Sequence, residues 1–270
     1  MADKKGLLGF IDAHCHLNDE KFCSDIQNVL DNMQKNRVSA AIVVGSGCEG
    51  SKRAVDLAHT YDNLYAAVGF HPHDASLVND RSLAQMEHIA CDEKVVGYGE
   101  IGLDFHYDFS PRDIQCGAIK EQVALAKSLN LPIVIHEREA FTELFAILED
   151  TGGLSIGGHW HCITTELKNA LEIAKYFFIG ITGIVTFSKS ENVREIVENT
   201  PLGRIILETD APYLAPKPHR GKRNEPSYIP IIAGKVAEIK GVSVEYVERI
   251  SCKNTLEVYP KILEGRGNYE

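Results

Sequence analysis

The chain has 270 residues, 44% of them hydrophobic, and 28 Lys and Arg against 38 Asp and Glu give a formal net charge of −10. That length suits one α/β barrel with a sizeable core, and no apolar run is long enough to cross a bilayer. The overall charge offers no non-specific attraction to nucleic acid, so a polyanion would have to be held by a local basic patch and bound cations.

Met1 to Gly6 is short, polar and basic, and Leu7 to Ile11 is too brief for a signal-peptide core, so a cytoplasmic location is expected. Seven cysteines (Cys15, Cys23, Cys48, Cys91, Cys116, Cys162 and Cys252) are odd in number, irregularly spaced and without a CxxC pair. This argues against a disulfide framework or a thiolate zinc site, and for reduced thiols packed mostly in the core.

Short, β-branched apolar runs alternate with amphipathic stretches. Leu7–Ala13 predicts a first strand, followed by a helix over Cys23–Asn36. Ala40–Val44 is paired in the same way with Glu49–Tyr61, and Leu64–Phe70 with Ser82–Cys91. Val95–Gly99 precedes a helix over Pro111–Leu129, with Ser110 as the expected N-cap. Pro132–His136 leads to Glu139–Glu149, Leu154–Gly158 to Thr165–Lys175, and Phe177–Ile181 to Glu191–Asn199. Arg204–Leu207 is the eighth strand, and helices over Pro226–Ile239 and Ser243–Ile250 follow. Nearly continuous apolar runs are what strands buried on both faces require. Eight strands, each followed by a helix, predict a parallel sheet and a single (β/α)8 TIM-type barrel over residues 1–270. An open doubly wound sheet is the alternative, because it reads as the same alternation. Gly45-Ser46-Gly47-Cys48-Glu49-Gly50 has the form of a dinucleotide fingerprint, but the next strand closes on Gly69-Phe70-His71 and not on an acid, so the glycines read as a tight turn.

Strand after strand runs into a metal-capable residue: His14 and His16 after the first, His71 after the third, Glu100 after the fourth, His136 after the fifth, His161 after the sixth and Asp210 after the eighth. In a barrel these ends form one rim, where active sites lie. His14 and His16 are two apart and share one side of an extended chain. Glu100 needs a metal or a base to justify burial, the competing partner being Arg138. His159 shares a side with His161 and is the weaker candidate of that pair. Four imidazoles and two carboxylates suit two divalent ions, and zinc, magnesium, manganese, cobalt and iron are all compatible with that set.

At these positions the chain resembles the TatD-type metal-dependent deoxyribonucleases, a branch of the amidohydrolase-like barrel hydrolases. The resemblance rests on Asp12-Ala13-His14-Cys15-His16-Leu17, Gly69-Phe70-His71-Pro72-His73, Gly99-Glu100-Ile101-Gly102-Leu103-Asp104, Tyr107-Asp108-Phe109-Ser110-Pro111, Gln115, Leu131 to His136, His161-Cys162, Leu207 to Leu214 and Arg220 to Pro226. It implies one metal on His14, His16, Glu100 and Asp210, a second on Glu100, His136 and His161, and hydrolysis of DNA, often as a 3′ exonuclease. Two segments depart from the family pattern, Ile163-Thr164-Thr165 and Gly183 to Lys189, and both bear on substrate choice.

Asp210 and Glu100 are the expected catalytic residues, with Asp210 accepting a proton from the attacking water. Arg220, Lys222 and Arg223, in a basic stretch with Lys217 and His219 beside Asp210, are expected to hold phosphates, as are His71 and Arg138 at the rim. An Arg223–Glu225 salt bridge is the competing reading of that stretch. A metal-dependent hydrolase of a small amide, ester or phosphoester on the same scaffold is the alternative function. Nothing in the sequence fixes the oligomeric state, and a monomer is compatible with it.

Overall fold

The computed structural model describes residues 9–264. The first two residues of the expected first strand, Leu7 and Leu8, lie outside the described residues, as does the Met1–Gly6 segment. The strands are β1 (Phe10–Cys15), β2 (Val38–Val44), β3 (Leu64–Val68), β4 (Val95–Asp104), β5 (Ile133–Arg138), β6 (Gly158–Trp160), β7 (Phe177–Ile181) and β8 (Ile205–Leu207). Every neighbouring pair is parallel, in the order β1 to β8. A Cys15–Ala211 bridge and the Asp210 N–H donated to the His14 carbonyl (2.9 Å) bring the two edges together, so the sheet forms a nearly closed (β/α)8 barrel.

The helices are α1 (Ile26–Lys35), α2 (Gly47–Thr60), α3 (Asp80–Ala90), α4 (Arg112–Ser128), α5 (Phe141–Thr151), α6 (Gly153–Ile156), α7 (Leu167–Ile173), α8 (Glu191–Asn199), α9 (Ile229–Lys240), α10 (Val244–Val258) and α11 (Lys261–Glu264). Two cores result. The larger lies between sheet and helices, where Val29, Met33, Ile119, Leu144 and Ile196 meet outward strand residues such as Val43 and Ile135. The smaller fills the barrel with Ile11, Ala13, Ile42, Val44, Val96 and Val134, and Cys252, Tyr259 and Ile262 from the C-terminal helices join it. The barrel interior is therefore packed below the rim formed by the C-terminal strand ends, as the fold requires.

Four expectations need correction. The sixth strand is not Leu154–Gly158: Gly153–Ile156 is a helical turn, and the strand begins at Gly158. Gly152 (φ 78°) and Gly157 (φ 68°) bracket that turn in left-handed backbone, and only Gly153 of its four residues is buried, unlike the continuously buried strands. The fourth strand continues past Gly99 to Asp104, all ten residues buried. Pro111, not Ser110, occupies the N-cap of α4, and the Ser110 hydroxyl instead donates to the His73 carbonyl (2.8 Å). All seven cysteines are free, but only Cys15 and Cys252 are buried, while Cys23 and Cys91 are exposed.

Candidate metal centre

Two breaks in strand alternation aim the site. In β1, Ile11 and Ala13 pack inside the barrel, yet Cys15 packs outside it. The register shift between Asp12 and Cys15 accounts for this, and it leaves His14 and His16 both facing the mouth. In β4, Tyr98, Ile101 and Leu103 all belong to the outer core, so the shift between Gly99 and Ile101 turns Glu100 inward. Close approach continues at Gly102 (φ 154°), where any Cβ would run into the His136 carbonyl.

The six predicted ligands meet. Glu100, 5% exposed, lies 3.7 Å from His14 Nε2, 3.5 Å from His136 Nδ1 and 3.8 Å from His161 Nε2. Asp210 Oδ1 lies 3.3 Å from His16 Nε2 and 3.9 Å from both His14 and His161. Among the described residues, three groups bring ligand atoms within 4.8 Å of one another: His14, His16 and Asp210; His71, Glu100 and His136; and His14, His161 and Glu208. The fit to a cation is shown by Glu100 Oε2, which is buried, has no hydrogen-bond partner and faces three imidazole nitrogens. An isolated carboxylate oxygen in such a place is costly unless a cation meets it.

The far nitrogen of each imidazole decides what the near one offers. His16 Nδ1 sits 3.0 Å from the Val44 carbonyl, which only accepts, so Nδ1 carries the proton and Nε2 is left to Asp210 and the centre. His136 Nε2 faces Asp104 Oδ2 (3.3 Å), which leaves Nδ1 for Glu100. His161 Nδ1 faces Glu208 Oε2 (3.1 Å), which leaves Nε2 inward. His14 is held differently, stacked on the His161 ring with centroids 3.7 Å apart. His71 follows the opposite logic. Its Nδ1 accepts from the His73 N–H (3.1 Å), so in the neutral ring the proton is on Nε2, 3.7 Å from Glu100 Oε1. His71 therefore presents a donor to the cleft, not a lone pair.

Charge is balanced inside this cluster. Burial alone would lower the His161 pKa, but Glu208, Asp210 and Glu100 outweigh it and raise it to about 10. Burial is likewise overcome at His136, which Asp104 and Glu100 raise to about 9. Burial would raise Glu100, yet His71, His136, His14 and His161 hold it well below the usual carboxylate range. Burial, with His161 beside it, keeps His14 neutral, and burial lowers His71 to about 3. A divalent cation would take over the work of the His136 and His161 protons, and its binding would release them.

Glu208, a residue that local sequence reading passed over, organises one wall. It is fully buried, takes the Cys162 N–H at 2.6 Å, and faces His159 Nε2 at 2.8 Å and His161 Nδ1 at 3.1 Å. His159 is thereby turned away from the centre, and its Nδ1 meets the Tyr259 hydroxyl (3.2 Å). A Cβ on Gly180 would collide with both Glu208 and His159, so only glycine leaves room for this chain. His159 and His161 both face Oε2 while Oε1 takes the Cys162 N–H, so the Glu208→Gln amide must turn its NH2 either on the two imidazoles or on the Cys162 N–H. It is expected to weaken metal affinity about 10- to 100-fold with the fold retained, as read by titration against a competing chelator beside a thermal melt. An unchanged affinity would remove Glu208 as the group that orients His161.

The remaining predicted residues divide. His71 and Arg138 line the cleft over the cluster, with Asp210, His136 and His161; its volume is about 1010 Å³. Arg138 makes no salt bridge to Glu100; its guanidinium lies 4.7 Å from the Tyr107 ring centroid. Arg220, Lys222 and Arg223 are not among the cleft-lining residues. Arg220 lies over the Phe187 ring (3.8 Å), and Arg223 pairs with Asp25 (2.7 Å), not with Glu225. Asp25 is 198 positions from Arg223, so no local reading could find that pair. Arg53, His73, Tyr107 and Tyr213 line the cleft without having been singled out, although His73 and Tyr107 sit within the quoted motifs. Thr164 and Ile184, from the two departing segments, also line it.

A parallel barrel whose strand ends gather four histidines, a glutamate and an aspartate around one cleft has the form of a metal-dependent hydrolase. The model of the TatD related DNase family matches residues 11–260, and the chain belongs to that family. It is 39% identical to YabD of Bacillus subtilis strain 168, described as an uncharacterized metal-dependent hydrolase, over 92% of this chain and 98% of that protein. It is 33% identical to the 3'-5' ssDNA/RNA exonuclease TatD of Cronobacter sakazakii, over 93% and 97%. The crystal structure of YJJV, a TatD homolog from Escherichia coli K12, superposes with a TM-score of 0.88 at 29% identity, covering 93% of this chain and 98% of that one. Among the described residues, no helix is long and apolar enough to cross a membrane.

Proposed function

We propose that this protein is a divalent-metal-dependent deoxyribonuclease that hydrolyses DNA phosphodiester bonds, working from a 3′ end. The convergence of His14, His16, His136, His161 and Asp210 on Glu100 carries this reading. The relative named a 3'-5' ssDNA/RNA exonuclease supports the choice of substrate. In this proposal His14, His16, Glu100 and Asp210 hold one ion, and Glu100, His136 and His161 hold a second. When bound, such ions supply positive charge at the phosphate and lower the pKa of a water.

The chain's own residues supply the rest. Asp210 lies beside His16 at the cleft floor, oriented by its own N–H to the His14 carbonyl, and accepts the proton of the attacking water. His71 Nε2–H donates to a non-bridging phosphate oxygen, and Arg138 offers a charged fork at the rim. Arg53 adds a second cation to the lining. Arg220 and Lys222 remain as anchors for phosphates farther along a strand, outside the cleft lining, while Arg223 is committed to Asp25. The test is end-labelled single-stranded DNA digested with and without chelator. Shortening from the 3′ end that chelation abolishes and added Mg²⁺ or Mn²⁺ restores is expected; cleavage that survives chelation would reject the reading.

A further inference from the structure

Tyr107 and Phe109 stand out beside the cleft. Tyr107 is 49% and Phe109 69% exposed, and their rings are parallel within 6° with centroids 5.4 Å apart. Single exposed aromatics are ordinary on protein surfaces, but here Tyr107 lines the charged cleft and Phe109 extends its stack outward, so the pair presents a flat apolar face beside the cleft. Arg138 lies against Tyr107, and Tyr107 and Arg138 line the same cleft as Glu100 and Asp210.

The loop that carries the pair is braced, so the platform exists before any ligand arrives. Asp104 Oδ1 accepts the N–H groups of His106 and Tyr107, each at 3.0 Å. The buried Gln115 amide donates to the carbonyls of Asp104 (3.1 Å) and Ser110 (2.8 Å). Arg112 ties the Asp108 carboxylate to the Phe105 carbonyl. The His73 ring packs against Phe109 in a perpendicular contact, 4.7 Å between centroids. The two rings already touch, which leaves no gap for a third between them. A planar ligand therefore continues the stack from the exposed side.

We propose that Tyr107 and Phe109 form a base-stacking platform that receives an unpaired nucleobase of the strand whose phosphate lies at Glu100 and Asp210. The inference rests on the nuclease reading and adds a subsite to it. A nucleobase inside a duplex has both faces covered, so the platform selects single-stranded or frayed ends. Arg138 joins the two halves of the site, because its guanidinium lies over the Tyr107 ring and it lines the cleft.

The test compares a short single-stranded oligonucleotide with the same strand carrying one tetrahydrofuran abasic residue, moved one position at a time from the 3′ end. In the wild-type enzyme, KM is expected to rise about 5- to 100-fold when the abasic residue reaches the platform position, and less elsewhere. In Tyr107→Ala/Phe109→Ala the two strands should become equal at every position. Tyr107→Phe/Phe109→Tyr should restore the difference. Thermal melts would verify that each variant is folded. If the wild-type enzyme cleaves neither strand, the nuclease reading fails and takes the platform with it. If it cleaves both and the double alanine variant keeps the wild-type position dependence, the platform alone is overturned.

Discussion

Glu100→Gln is expected to lower turnover by about 10³-fold, a loss of about 4 kcal/mol of transition-state stabilisation, and to leave the purified protein with little bound metal. The change is nearly isosteric, so its effect is electrostatic. Glu100 is the acid that His14, His71, His136 and His161 all face, at 3.5 to 3.8 Å. An amide there removes the central negative charge and turns N–H donors toward nitrogens that should be offering lone pairs. The barrel should survive, because the change is nearly isosteric and Glu100 stands above an interior packed by Ile11, Ile42, Val96 and Val134. Metal content after desalting, turnover at saturating Mn²⁺ and a thermal melt separate these effects. Full metal content with undiminished turnover would remove Glu100 from the centre.

Asp210→Asn is expected to cost about 10²- to 10⁴-fold in kcat, the range for loss of a positioned proton acceptor. The backbone makes this an unusually clean substitution. Asp210 has φ 56°, in the left-handed region that asparagine tolerates about as well as aspartate, so the variant should keep the local chain path. Asparagine also keeps one oxygen near His16, so part of the metal affinity should remain. The informative measurement is kcat at saturating metal. A kcat equal to the wild type would eliminate Asp210 as the acceptor of the water's proton, whatever its part in holding an ion.

The barrel was legible because strands buried on both faces must be almost continuously apolar, and Phe177–Ile181 and Ala40–Val44 are. Where the pattern misled, a competing conformation used the same residues: Leu154 and Ile156 alternate as in a strand, but glycines at 152 and 157 close the segment and favour a helical turn. The candidate cluster was legible because chemistry sits at strand ends, so position alone grouped His14, Glu100, His136, His161 and Asp210, which the fold brings within 4 Å of one another through Glu100 and Asp210. The groups that aim them were not. Glu208 and Asp104 are acids on strands or strand ends with no distinctive spacing, and their partners His161 and His136 are 47 and 32 positions away. Nor does alternation reveal that β1 and β4 each break register once, although those breaks point His14, His16 and Glu100 to the cleft. The basic stretch after β8 shows the limit of local charge reading: Arg223 was spent on Asp25 and Arg220 on Phe187, and neither lines the cleft.

The account stands on a pair of divalent ions sharing Glu100. Anomalous diffraction from crystals grown with Mn²⁺, measured on both sides of its absorption edge, addresses this directly. Two peaks are predicted beside the Glu100 carboxylate, one within ligand distance of His14, His16 and Asp210, the other within ligand distance of His136 and His161. Peaks confined to surface acids, with none at Glu100, would contradict it.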